Sequence, residues 1–270
     1  MTSTMQLSRL CGVFAVIKPT GITSAKLGDR IRDDLQKEIG CELLKGQRLK
    51  IGHGGTLDMF ATGVMCFGLG AGCKQLHALL HGKKRYMSTC RLGVATETYG
   101  AESRMTKELP YSHVTRDQLQ EAISTFTGQI SQMPPVFSAL KHKGRRLSDM
   151  ARAGDTLPEI QPRLVQVDSI TCLDFSPPYF TLDIKCGGGF YVRSLVHNLG
   201  EAVASCAHVV ALERTEHGPF TRDDAIPEYQ WTLENVLTAI DAAEAKFGDY
   251  TKDAQCDVNT VRISTRNKGI

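Results

Sequence analysis

Apolar and polar positions along the chain follow two periods, one near two residues and one near four, and these divide it into strands and helices. Residues 12–17 form an apolar run that stops at Lys18-Pro19-Thr20-Gly21, which reads as a strand closed by a turn. Leu27, Ile31 and Leu35 then recur at four-residue spacing behind Thr23 and Ser24, either of which can cap a helix. The mixed stretch 37–49 reads as a surface loop. Apolar residues 49–51 and 64–69 flank the glycine-rich string Gly52-His53-Gly54-Gly55-Thr56-Leu57-Asp58-Met59-Phe60-Ala61-Thr62-Gly63, and the second flank reads as a buried strand. A short helix is expected over 74–80 and a strand over 86–92, whereas 93–111 has little periodicity and reads as loop.

Thr115-Arg116-Asp117-Gln118 has the form of a capping box, and Leu119, Ile123 and Phe126 give the helix behind it one apolar face. Met133-Pro134-Pro135 breaks regular structure. Strands over 164–173 and 179–186 are joined across Ser176-Pro177-Pro178. After Gly187-Gly188-Gly189 a helix follows with Val192, Leu195, Val196, Leu199 and Val203 on its inner face. Residues 207–212 read as a further strand, Gly218-Pro219 ends the ordered core pattern, and Leu233, Val236, Leu237 and Ile240 define a last helix over 232–243. The residues after Phe247 are polar and read as a tail.

A chain of 270 residues with 41% hydrophobic residues can bury a globular core, and it is neither disordered nor fibrous. The net charge of +3 is too mild to define a partner, but its distribution is uneven. Residues 141–152 hold five Lys or Arg against the single acid Asp149, while 216–245 hold seven acids against Arg222 alone. One basic working surface and one acidic back are the expectation. The nine cysteines are odd in number and never spaced Cys-x-x-Cys, which argues against structural zinc or a disulfide framework and for a reducing compartment. No apolar run reaches membrane-spanning length and no signal-peptide core opens the chain, so the nucleus or cytoplasm is expected, with no membrane partner.

Candidate chemistry centres on Asp58, a carboxylate on a glycine-rich loop with His53 five residues before it. An isolated Asp in a loop commonly caps a helical turn, and that reading competes with a catalytic one. Gly70-Ala71-Gly72-Cys73-Lys74-Gln75 lacks the hydroxyl that a phosphate-binding loop needs after its lysine, which disfavours an NTPase. Lys83, Lys84 and Arg85 beside Tyr86 are either a solvated cluster at a strand start or a phosphate clamp next to a base-stacking ring. Lys141, Lys143, Arg145 and Arg146, with Ser138, are likewise either an exposed charged face or contacts to an RNA backbone. Arg193 falls in the first turn of its helix, where the dipole favours acids, and that mismatch points to a local anion.

Taken together these strings resemble the TruB family of tRNA pseudouridine synthases, in particular its eukaryotic members, over about residues 12–231. The string from Gly52 to Asp58, with Ala61-Thr62-Gly63, resembles the catalytic loop whose Asp is essential. Lys84-Arg85-Tyr86 with Leu92-Gly93 is similar to the motif whose Tyr stacks on the target base. Gly189-Phe190-Tyr191-Val192-Arg193-Ser194-Leu195 resembles the motif whose Arg pairs with the catalytic Asp and whose Tyr lines the base pocket. Ala207-His208-Val209 through Leu212-Glu213-Arg214-Thr215 resembles the motif that sets a Leu against the base, and 134–154 is similar to the family's RNA-closing thumb.

The resemblance implies an α+β pseudouridine synthase fold, a mixed, largely antiparallel β-sheet flanked by helices. A basic thumb is inserted at about 129–160, with a catalytic domain over 1–247, a polar tail over 248–270 and no PUA domain. It implies conversion of uridine to pseudouridine in the T-loop of tRNA, at position 55, with mRNA stem-loops of similar shape as secondary targets. The base is flipped out of its loop, the bond from N1 to ribose is cut, and the base is rejoined through C5. Asp58 acts either as nucleophile at C1′ or as base toward the 2′-OH. His53, Tyr86, Tyr191, Arg193 and Leu212 are the implied substrate-binding residues, and Lys84, Arg85, Lys141, Lys143, Arg145 and Arg146 the RNA-binding ones. No cofactor and no metal are required, and a monomer is expected. A binding protein or RNA-folding chaperone that uses the same pocket without chemistry is the alternative. Met59 stands where the family usually has Pro, which should loosen the loop, and Thr96-Glu97-Thr98-Tyr99-Gly100 is less acidic than the family pattern.

Overall fold

The computed structural model describes residues 10–40 and 48–247, so the tail expected over 248–270 and most of the loop expected over 37–49 lie outside the described residues. Two compact units are present, residues 1–82 with 214–270 and residues 83–213.

In the first unit, strand β1 (Gly12–Lys18) runs antiparallel to β3 (Thr62–Leu69), with Gly12 opposite Leu69 and Lys18 opposite Gly63. The short strand β2 (Ile51–His53) also pairs with β3, placing His53 opposite Phe67. Alternation along β1 sends Phe14 and Val16 into one apolar cluster and Val13 and Ala15 into another. Helix α1 (Ser24–Ile39) packs Leu27, Ile31 and Leu35 into the first cluster, and all three side chains are fully buried. Burial of this kind stabilises the fold by about 1.5 to 3 kcal/mol per side chain. Thr23 is the cap that α1 uses, its hydroxyl accepting from the Lys26 amide. The short helix α2 (Leu76–His81) follows a 3-10 turn over Gly70–Gln75.

The second unit begins with strand β4 (Lys84–Leu92), followed by β5 (Val94–Thr96) and β6 (Met105–Glu108). Those two pair as a hairpin, with Val94 opposite Glu108, where the sequence pattern gave only loop. Strands of three and four residues carry too little alternation to register. Helix α3 (Arg116–Ser124) opens on the expected capping box at Thr115 and Gln118. Strand β7 (Gly128–Gln132) leads to the basic segment, which forms a second unforeseen hairpin of β8 (Lys141–His142) and β9 (Arg145–Arg146), then helix α4 (Leu147–Arg152). Lys143 and Gly144 turn that hairpin with φ of +48° and +84°.

The long strand β10 (Arg163–Ser176) and β11 (Tyr179–Cys186) complete this part of the unit's sheet, followed by helix α5 (Val192–Ala202) and strand β12 (Ala207–His217). The strand order is β12-β4-β11-β10-β7. Its β4–β11, β11–β10 and β10–β7 pairs are antiparallel.

The chain returns to the first unit at Arg214. There β13 (Phe220–Thr221) and β14 (Ala225–Ile226) follow the Gly218-Pro219 step where no further core element was expected, and β14 lies parallel to β1. Helix α6 (Leu233–Phe247) buries Val236, Leu237 and Ile240 in the same cluster as α1. The expected mixed, largely antiparallel sheet flanked by helices is therefore present. Among the described residues Cys66, Cys73, Cys90, Cys172, Cys186 and Cys206 are free thiols, and Cys11 is disulfide-bonded. No described helix is long and apolar enough to cross a membrane.

Candidate active site

Asp58 is half-buried on the loop between β2 and β3, and no helix follows it, so the helix-capping role has no helix to cap. The main chain on both sides of Asp58 is pinned by the turn that ends β1. The Ser24 hydroxyl accepts from the Leu57 amide at 2.9 Å and donates to the Leu57 carbonyl at 3.0 Å. The Lys18 ammonium donates to the carbonyls of Pro19 at 2.7 Å, Met59 at 3.2 Å and Ala61 at 2.7 Å. Thr20 donates to the Phe60 carbonyl, and the Gly21 amide gives Met59 a second donor. Met59 is thus held where a loose loop was expected, its carbonyl bonded twice while its side chain faces solvent.

Two further buried groups support the loop. Arg214 is only 1% exposed and donates from Nε to the Val64 carbonyl at 2.8 Å, with Nη2 at 3.4 Å from the Gly55 carbonyl. His217 accepts at Nδ1 from the Cys66 amide, which leaves its Nε2 proton to the carbonyls of Gly54 and Leu79. Burial pulls the Lys18 ammonium down to about 8, with the Asp58 carboxylate opposing that fall, Arg214 adding to it and Glu228 opposing it. His53 ends β2 with its ring edge-on to Phe67, centroids 6.3 Å apart.

The implied substrate-binding residues of the second unit sit on β4, β12 and the start of α5. Tyr86 and Leu212 are 8% and 6% exposed. Arg193 is buried, and its guanidinium donates to the carbonyls of Thr98 at 2.7 Å and Phe137 at 2.9 Å. Tyr191 is the N-cap of α5 without a side-chain cap bond, and its main chain is bonded by the amide of Gln132.

Of the cations beside Tyr86, Lys83 is exposed and paired with Asp168 at 3.0 Å, Lys84 is buried, and Arg85 makes a two-pronged ion pair with Asp183, at 2.9 Å from Nε and 2.8 Å from Nη2. That guanidinium holds the Asp183 carboxyl below its ordinary value. In the inserted segment Lys141, Lys143, Arg145 and Arg146 are all exposed, and Arg145 is paired with Asp155 at 2.6 Å. Ser138, expected at the RNA surface, is instead buried. Sequence reasoning missed Lys18, Ser24, Arg214, His217 and Gln132, because a buried polar side chain leaves no periodic mark.

The sheet-and-helix architecture is that of a pseudouridine synthase, as comparison bears out. Residues 42–192 match the model of the TruB family pseudouridylate synthase N-terminal domain. The chain is 44% identical over 248 residues to the human protein named pseudouridylate synthase TRUB1, covering 90% of this chain and 71% of that one. It is 37% identical over 201 residues to tRNA pseudouridine synthase B of Bacteroides fragilis, covering 74% of this chain and 84% of that one. A chain in the crystal structure of a Cbf5-Nop10-Gar1 complex superposes with a TM-score of 0.60 at 25% identity, over 92% of this chain and 59% of its own length. The chain belongs to the TruB family of pseudouridine synthases.

Proposed function

We propose that this protein isomerises uridine to pseudouridine in the T-loop of tRNA, at position 55, and in mRNA stem-loops of similar shape. The observation that carries this reading is Asp58, a half-buried carboxylate whose flanking peptide groups are bonded to Lys18, Thr20, Gly21 and Ser24. A carboxylate held this way presents its oxygens to a reacting atom with little reorganisation. Relatives named as tRNA pseudouridine synthases support tRNA as the substrate class.

The target base is flipped from its loop, at a cost of a few kcal/mol that stacking on Tyr86 helps to offset. Asp58 then either attacks C1′ or takes the proton of the 2′-OH, and the bond from N1 to C1′ breaks. The detached base turns, and C5 bonds to C1′ as the Asp58–C1′ bond breaks or, on the other route, as the 2′-OH regains its proton; the C5 proton is then removed and N1 gains a proton. Every heavy atom of the uridine is retained. Tyr191 and Arg193, at the start of α5, serve the reacting nucleoside. Lys141, Lys143 and Arg146 take the RNA backbone.

The test is pseudouridine formation on an unmodified tRNA transcript, mapped by position, for the parent and for Asp58→Asn. Modification at position 55 by the parent, and none by a variant that still binds RNA, is the expected result. Equal binding or refolding of tRNA by both proteins, with no modification by either, would sink the reading in favour of an RNA chaperone.

A further inference from the structure

Tyr191 lies between two different kinds of neighbour. Before it stand Gly187, Gly188 and Gly189, the last at φ +80°, which give the chain no side chain to pack and little stiffness. After it begins α5, whose first residues include Arg193 and Ser194. The N-cap side chain makes no cap bond, so the helix start needs another anchor.

Gln132, the last residue of β7, supplies it. Its side chain is 3% exposed and meets the Tyr191 main chain twice, Oε1 accepting from the amide at 2.8 Å and Nε2 donating to the carbonyl at 3.0 Å. Because the Tyr191 amide can only donate, the orientation of the Gln132 amide is fixed by its partner. The pair has the form of one rung between strands, made by a side chain where the ladder has ended. Adjacent bonds run the same way, from the Ser194 hydroxyl to the Met133 carbonyl at 2.9 Å and from Arg193 to the Phe137 carbonyl at 2.9 Å. Residues 132–137, at the root of the basic insertion, are thus bolted to residues 191–194.

We propose that Gln132 is a positioning residue for the isomerisation, its side-chain amide fixing the main chain of Tyr191 and with it the start of the helix that carries Arg193. The inference rests on the proposed roles of Tyr191 and Arg193. Gln132 touches neither base nor ribose in this scheme. Its loss leaves RNA binding by the exposed cations intact and displaces the two residues that serve the reacting nucleoside. A misplacement of about 1 Å can cost about a hundredfold in turnover.

The experiment compares Gln132→Met, which keeps volume and removes both bonds, with Gln132→Glu, which keeps an acceptor for the Tyr191 amide and loses the donor. Each is measured for kcat and KM on a tRNA transcript, for tRNA affinity and for thermal midpoint, beside Tyr191→Ala and Arg193→Ala. The expected result is kcat lower by about tenfold or more in Gln132→Met and by less in Gln132→Glu, with KM and affinity within about twofold. Parental kcat in both variants overturns the proposal, as does a loss that falls on KM alone or that tracks the unfolded fraction. If Tyr191→Ala and Arg193→Ala retain full kcat, the roles assigned to those residues fail instead. If the parent forms no pseudouridine, the proposed function fails.

Discussion

The Lys18 ammonium lies 2.7 Å from the Ala61 carbonyl, so the last side chain of β1 holds the main chain three residues beyond Asp58. Lys18 is fully buried and also holds the Met59 carbonyl, so two of its three acceptors lie in the three residues after Asp58. Lys18→Met keeps the stem and removes the donor to both carbonyls; Met59 keeps the Gly21 amide, so the lost bond to Ala61 carries most of the cost, about 1 to 3 kcal/mol. The expected outcome is a lower thermal midpoint together with a kcat reduced by about tenfold to a hundredfold at unchanged tRNA affinity. Its pH dependence has a defined sign. The folded-state value of about 8 lies below the ordinary 10.5, so the neutral amine is favoured by folding. This group's share of stability is therefore smallest below pH 8 and rises between 8 and 10.5, while kcat falls through about 8 as the cation beside Asp58 is lost. A pH–rate profile with the same alkaline limb in Lys18→Met would clear Lys18 of this role.

Gly63, opposite Lys18 on β3, has φ of +110°, and a Cβ added there would lie 2.2 Å from the Arg214 carbonyl oxygen. Both the backbone conformation and the space exclude a side chain, and the obstacle is main chain that cannot swing aside. Gly63→Ala is expected to destabilise the protein by about 3 kcal/mol or more, beyond the usual range for a surface change. Urea unfolding of the purified variant decides it, and a midpoint equal to the parent's would contradict the close approach.

Much of this architecture was legible because burial and periodicity coincide. Leu27, Ile31 and Leu35 predicted α1 and its buried face, and Thr115 with Gln118 marked the start of α3. The hairpins at 94–108 and 141–146 were not, since strands of two to four residues are too short for alternation to be read. Asp58, Tyr86 and Arg193 were singled out by motif, but motif says nothing of what holds them. Lys18 looked like the start of a turn, Arg214 like one residue of a longer motif, and His217 carried no signal. Arg85 has a partner, Asp183, that lies 98 positions away and outside any local pattern.

In the inserted hairpin Lys141 stands opposite Arg146, so the two exposed cations share one face, while Arg145 on the other face is engaged by Asp155. Lys141→Ala and Arg146→Ala are each expected to weaken tRNA binding at low salt. Each should also flatten the dependence of log affinity on log salt by roughly 0.7 to 0.9. Arg145→Ala should change the slope less, because its charge is already partly neutralised. Binding isotherms at several salt concentrations test the ranking, and an unchanged slope for the first two variants would remove them from the RNA surface.

His197, one turn after Arg193 on α5, stacks on Tyr99 with ring centroids 4.0 Å apart and planes within 11°. Its Nδ1 is buried without a hydrogen-bond partner among the described residues. Burial lowers its pKa from 6.5, with Glu201 opposing the fall and Lys107 adding to it. The unfolded chain therefore takes up a proton as pH drops through 6.5 while the folded protein resists. Stability is lost from that point down to the lower folded-state value. Tyr99 sits at φ +62°, and its neighbour Thr98 supplies a carbonyl to Arg193. His197→Phe keeps a ring for the stack and removes the titration. Urea midpoints of parent and variant measured from pH 8 downward should run parallel above about 6.5 and diverge below it, the parent losing more. Curves that stay parallel to pH 5 would show that His197 titrates alike in both states and that burial does not hold it neutral.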